Sequence, residues 1–347
     1  MKGKIMKRLS LFLIVVLIDS GPCFAQATPL TPTPTSSSVS ATKPATKSST
    51  KPEVKSAAVA TSKEAQVPTR PVDPVVLSNQ MMITAGERIK AGAFPEAKQV
   101  AQDMIYGYEK FATTSQTIAK SFSSLMEKKL FEEMMRREGR QEPVIWVQQP
   151  IADGFYFLAI IAFEEKKTDE ALDYIQKAID WDPVRAAFYI ERGFINVQSG
   201  KNMTIAEISA SYLKALELAD GPEDFAAALR GLGFLFVEQG DWEGALASYL
   251  VSLFFDPQNS SAQKEIEFIR YNNPGIYKEI NANKAVQILV RRKVPVRIDP
   301  IHVQNLLKIA DELSSTKQTK EIKAVLKRAL NLDPKNESIK KRLAGIK

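Results

Sequence analysis

Three stretches of the chain end alike: Ala178-Ile179-Asp180-Trp181-Asp182-Pro183, Ser252-Leu253-Phe254-Phe255-Asp256-Pro257 and Ala329-Leu330-Asn331-Leu332-Asp333-Pro334. Counting back 31 residues from each proline gives starts at Ala152, Ala226 and Val303. The same positions in the three units then carry the same kinds of residue. Position 4 reads Phe155, Leu229 and Leu306, and position 7 reads Leu158, Leu232 and Ile309. Position 8 is small, with Ala159, Gly233 and Ala310. Position 20 reads Ala171, Ala245 and Ile322, position 24 reads Ile175, Tyr249 and Leu326, and position 27 reads Ala178, Ser252 and Ala329. Positions 4, 7, 8 and 11 lie on one face of a first helix, and 20, 24 and 27 on one face of a second. Small residues at 8 and 20 let the two backbones approach. The closing Asp-Pro ends the second helix, because proline cannot continue a helix and restricts the residue before it. Polar turns fall between, at Lys166-Lys167-Thr168-Asp169 and Gly240-Asp241.

A fourth unit fits from Ala186, with Tyr189, Gly193 and Asn196 in its first helix. Its second helix, with Ile208, Tyr212 and Ala215, comes three residues late, after an insertion at 200–204. The four units, 152–185, 186–222, 226–259 and 303–336, resemble the tetratricopeptide repeat, a helix–turn–helix unit of about 34 residues. The resemblance implies an all-α protein, an α-solenoid whose core is shared between stacked neighbours. Residues 75–112 read as a degenerate hairpin, with Ala85 and Ala97 spaced as in the repeats and Gly92 at the turn. Residues 113–150 read as an insertion. A long helix over 113–138 carries an apolar stripe of Ile118, Phe122, Leu125, Met126, Leu130, Met134 and Met135, and a loop runs from Pro143 to Pro150. Within 260–302, a helix over 260–270, a break at Asn272-Asn273-Pro274-Gly275, a helix over 276–292 and an extended, proline-bound stretch over 294–300 are expected. Residues 337–347 read as a C-terminal helix.

In the repeat family the first helices line a concave groove with their positions 2, 5, 9 and 12. Carried over, the groove positions include Tyr156, Ile160, Phe163, Ile190, Phe194, Val197, Arg230, Phe234 and Val237. All but Arg230 are apolar or aromatic. Such a face suits an extended peptide or an amphipathic helix. The other reading is that residues 113–138 fill it, since a Met-rich stripe is more often core than site. The carboxylate clamp of some family members is absent: its places carry Tyr156, Ile160, Glu191, Ala227 and Gly231.

The beginning of the chain reads as an address. Lys2, Lys4, Lys7 and Arg8 precede the apolar run Leu9–Ile18, which Asp19-Ser20-Gly21-Pro22 breaks ahead of Ala25. This is the order of a secretory signal peptide, residues 1–25, cleaved after Ala25 or, as second choice, Ala27. The run is too short to span a bilayer, which takes about 20 apolar residues. An uncleaved anchor is the competing reading, and Pro22 argues against lipidation at Cys23. Residues 26–74 form a linker. Positions 28–74 alone hold nine Thr, eight Ser and eight Pro without one aromatic residue, too little apolar surface to offset the entropy of ordering.

The chain has 47 Lys and Arg against 40 Asp and Glu, one Cys and one His. The excess is not spread evenly: residues 75–280 carry 21 basic and 30 acidic side chains, and residues 281–347 carry 16 and 6. The basic end comprises Arg291, Arg292, Lys293, Lys327, Arg328, Lys340, Lys341 and Arg342. It predicts an encounter with an acidic surface, either a partner or a second copy, or else a solvated helix face. One Cys and one His cannot build a thiolate or imidazole metal site, and a Ser-His-Asp mechanism would have to run through His302 alone. His302, close behind Pro300, is expected at the surface or at a helix cap. Gly231-Leu232-Gly233 is half of a nucleotide fingerprint, placed mid-helix where packing explains it. The sequence therefore predicts a non-enzymatic exported scaffold in a bacterial envelope, with a protein or peptide partner, no cofactor, no metal and no nucleic acid. The alternative is a module that holds peptidoglycan or an acidic polysaccharide.

Overall fold

In the computed structural model, residues 74–111, 117–199, 204–314 and 319–346 are described. The address, the linker and most of the inserted 200–204 lie outside them. An antiparallel pair of helices opens the fold, α1 (Pro74–Lys90) and α2 (Phe94–Ile105), with Gly92 at φ 71° in the turn between them. Next come a short 3-10 turn at Tyr108–Phe111, the strand β1 (Ile118–Lys120), α3 (Leu125–Arg137) and the strand β2 (Val144–Trp146). The repeats follow as α4 (Ile151–Glu164) with α5 (Thr168–Trp181), α6 (Ala186–Ser199) with α7 (Ile205–Leu218), and α8 (Pro222–Glu238) with α9 (Trp242–Phe255). Then come α10 (Ser260–Asn272), α11 (Pro274–Glu279) and α12 (Ala282–Arg291), and finally α13 (Ile301–Ser314), α14 (Thr319–Leu332) and α15 (Glu337–Ala344).

Each hairpin packs on itself and on the next, so α2 meets α4, α5 meets α6, α7 meets α8, and α9 meets α12. This is the solenoid expected from the repeats. Its stacking explains why α4 is buried along its whole length from Ile151 to Phe163: helices of two neighbouring layers cover it. The small position 8 has a visible purpose. A Cβ on Gly193 would lie 2.7 Å from the Tyr212 ring, and one on Gly233 would lie 3.0 Å from the Tyr249 ring. In both repeats the position-24 tyrosine of the second helix lies flat in the gap left by the position-8 glycine of the first. Gly231, one repeat on, leaves room for the other side of Tyr212, at 2.3 Å from a built Cβ. Tyr212 is thus held between two hairpins. The turns are set by the backbone: Gly240 and its counterpart Lys166 both take left-handed φ, 74° and 64°, which glycine adopts freely and lysine only at a cost.

The insertion differs from the sequence reading. The helix expected over 113–138 begins only at Leu125, because Ser124 caps it: its hydroxyl accepts from the Glu127 amide at 3.2 Å, while the Glu127 carboxylate accepts from the Ser124 amide. This reciprocal cap stops the helix from extending backward. Ile118 and Phe122 therefore leave the helical stripe. Ile118 enters β1, which pairs in parallel with β2 through Ile118–Val144, Ala119–Ile145 and Lys120–Trp146. The stretch from Pro143 to Pro150, expected as a loop, contains β2. Trp146 donates from Nε1 to the Phe122 carbonyl at 2.8 Å, and the Ser121 amide donates to the Trp181 carbonyl at 3.0 Å. The strand pair is thereby fixed to the end of α5. The helix expected over 276–292 is split at Ile280-Asn281, where Asn281 caps α12 through the Lys284 amide. α3 packs on α13 through Leu125 and Met126, while its Phe131 and Met135 belong to the core cluster of the main array and Leu130 and Met134 pack against it.

Candidate interaction site

The groove residues are on α4, α6 and α8, as the repeat spacing demands. Tyr156, Ile160 and Phe163 come from α4; Ile190, Phe194 and Val197 from α6; Arg230, Phe234 and Val237 from α8. The structure brings them together along neighbouring first helices. The Tyr156 ring is 5.1 Å from that of Phe188, and Phe163 meets Phe194 edge-on at 5.3 Å. They are not an open apolar surface, however: Ile160, Ile190 and Phe194 are 0–2% exposed, and only Val197 and Val237 keep a partial face to water. Several polar atoms on and beside this face are unpaired, which spacing alone did not announce. Tyr156 Oη, Glu191 Oε1, Asn196 Oδ1 and one Arg230 nitrogen, Nη2, are buried without hydrogen-bond partners. Burial, with Glu164 nearby, pushes the Glu191 carboxyl up to about 8. Arg230 uses its other nitrogen, Nη1, on Asp256 at 3.1 Å.

At the edge of this face sits a buried ion cluster that the sequence did not announce. Arg185, in the turn between α5 and α6, donates to Asp153 of α4 at 2.5 Å, to Glu127 of α3 at 3.1 Å and to Asp182 at 3.0 Å. Burial opposes its charge, but the three carboxylates outweigh it and raise its pKa. Burial also raises the Asp182 pKa, while Arg185 holds that of Glu127 below its ordinary value against burial. Glu127 thus caps α3 and ties it to the repeats at once. A small cleft opens beside the cluster, lined by Met126, Leu130, Leu218, Asp220 and Asp224 among others. There burial, with Asp220 and Glu223 nearby, pushes Asp224 up to about 7.

The basic end is not one patch. Arg292 forks onto Asp241 with two bonds of 2.7 Å, Arg328 reaches Asp220 at 2.5 Å, Lys340 reaches Glu337 at 2.7 Å and Arg342 reaches Asp311 at 2.7 Å. Half of the expected patch is therefore spent on the protein's own carboxylates. Arg291, Lys293, Lys327 and Lys341 are exposed and pair with no described residue. His302 departs from expectation more sharply. It is fully buried, not at the surface, because α13 lays its first turn against the end of α7. No cluster of metal-ligating side chains occurs among the described residues, and none of the described helices is long and apolar enough to cross a membrane.

Stacked two-helix repeats with shared cores and a lined inner face define a helical-repeat protein. A tetratricopeptide repeat model matches residues 152–185 and 303–336. The chain is a tetratricopeptide repeat protein, a class whose repeats mediate protein–protein interaction and whose members are typically non-enzymatic scaffolds. No curated protein matches it.

Proposed function

We propose that the protein is an exported, non-enzymatic scaffold of the bacterial cell envelope that holds a protein partner along the inner face of α4, α6 and α8. The observation that carries this reading is the run of apolar side chains along α4, α6 and α8 that reaches the surface at Val197 and Val237. Val197 and Val237, partly exposed at the far end of their helices, mark the rim where a bound segment enters. Export rests on the basic start, the Leu9–Ile18 run and the break before Ala25.

The test is crosslinking in the envelope of a producing cell, with wild type beside a Val197→Asp, Val237→Asp double variant. A partner recovered with wild type and lost with the variant, at unchanged melting temperature, supports the groove. A partner retained by the variant removes it. The second reading, attachment to an anionic envelope polymer, draws on Arg291, Lys293, Lys327 and Lys341, the four cations of the basic end that pair with no described residue. Salt-sensitive co-sedimentation with purified polymer, abolished by reversing those four charges, would favour it. Their reversal leaves the internal ion pairs of the basic end intact.

A further inference from the structure

The C-terminal repeat is joined to the rest of the protein differently from the others. Leu306, Ile309, Ala310, Leu326, Ala329 and Ile339 form a small core of their own, which meets the body of the protein at Leu125 and Met126 of α3. The preceding helix, α12, packs on α9, whereas α13 packs on α3. The connection from Arg292 to Pro300 contains no helix and includes Pro295 and Pro300. The remaining ties are polar and partly exposed: Lys129 of α3 to Glu312 of α13 at 2.8 Å, and Arg328 of α14 to Asp220 in the α7–α8 turn. His302 lies where α13 meets that turn. It is fully buried, with the Glu217 carbonyl beside its ring. The charged and polar groups that face it are Asp220 and the Glu217 carbonyl from the α7 end, Asp299 from the connection, and Arg328 from α14.

We propose that the C-terminal repeat is a clasp, closed on α3 and the α7–α8 turn while His302 is neutral and released when the imidazole takes up a proton. A protonated ring would be a second cation beside Arg328, which already engages Asp220, and it would be shut away from water. Burial is the main reason why the His302 pKa is lowered from 6.5, with Arg328 adding to it against the pull of Asp220 and Asp299. Undocked, the side chain regains its ordinary value of about 6.5. A group whose docked pKa is depressed in this way, and whose neutral form is the docked one, contributes fully to closure above 6.5. That contribution is lost as pH falls below 6.5 towards the docked value. The groups of the main array act in the opposite sense. Asp224 and Glu191, pushed up to about 7 and about 8, take up protons readily in the folded state, so mild acid favours the array while it loosens the clasp. Release uncovers Met126, Leu306 and Ile309, an apolar surface absent from the closed form.

Segment-resolved hydrogen exchange of the full chain, corrected for the pH dependence of intrinsic exchange, tests this. Going from about pH 7.5 to about pH 5, protection of α13–α15 is expected to fall, by up to about tenfold for each unit by which docking depresses the imidazole. Protection of α4–α9 is expected to hold or rise. His302→Gln, which cannot titrate, is expected to abolish the selective loss. Arg328→Gln, which removes the neighbouring cation, is expected to shrink it. An unchanged α13–α15 profile in wild type, a loss shared evenly with α4–α9, or the same loss in either variant overturns the proposal. Should His302→Gln fail to fold, the wild-type profile and Arg328→Gln still decide.

Discussion

The central repeats and the C-terminal repeat are built on the same plan, yet they are held by different forces. In α4–α9 the hairpins share one core, with Phe155, Phe188 and Phe225 each at most 2% exposed and Tyr212 wedged between two hairpins. In α13–α15 the core is small and nearly closed upon itself, and attachment to the body leans on ion pairs and one edge of α3. Sharing a core makes stability cooperative between neighbours. A repeat with a private core can loosen alone. Similar sequence units therefore produce one rigid array and one appendage, and the difference lies in which neighbour each hairpin finds.

Breaking one core at a time should separate the two regions. Phe188→Ala is expected to cost about 3–5 kcal/mol and to lower the main unfolding transition seen by calorimetry. Leu326→Ala, at about 2–5 kcal/mol, should strip exchange protection from α13–α15 while that main transition stays put. A single shared shift in both variants would show that the repeats do not differ. Gly231→Ala asks how tightly the central hairpins interlock. Its new methyl would meet the Tyr212 ring, at an expected cost of about 1–3 kcal/mol, read by denaturant titration.

Glu191→Gln sharpens the comparison through pH. The folded state holds the carboxyl at about 8 against an ordinary 4.5. A raised acid of this kind destabilises the fold progressively as pH rises from 4.5 towards 8. The variant should therefore gain in melting temperature over wild type at pH 8 and gain little at pH 4.5. A constant difference across that range would mean that Glu191 does not titrate in the fold. The smallest effect is expected at the clasp: Glu312→Ala removes a half-exposed ion pair worth under about 1 kcal/mol. It should alter exchange in α13–α15 and leave α4–α9 untouched.

Much of the array was legible because its code is local. Position-4, -7 and -24 residues recur at fixed spacing in three units, and Asp-Pro closes those three, so periodicity alone yields helices and their pairing. What escaped the sequence reading depended on distant partners. The Ser124 cap was readable in principle as Ser-x-x-Glu ahead of an apolar run, but a continuous apolar stripe across 118–135 concealed it. Ile118 shows the limit: nothing near it in sequence says that Val144 will be its neighbour. His302 was misplaced because the identity of its cover, the end of α7, depends on where the C-terminal repeat folds back. The inner-face positions were found by analogy with the family, whereas their burial, and the unpaired atoms among them, required coordinates. The basic end was overestimated, since net charge counts side chains and cannot say that Arg292, Arg328, Lys340 and Arg342 are already matched.

The tyrosine seated on a glycine also bears on how such an array can change length. Gly193 and Tyr212 stand three residues further apart in sequence than Gly233 and Tyr249, yet both pairs meet in the same manner. The extra residues fall in sequence between Ser199 and Ile205, outside the matched surfaces. A duplicated or lengthened unit would thus carry its own fitting parts with it, and the turns are where drift in length costs the least.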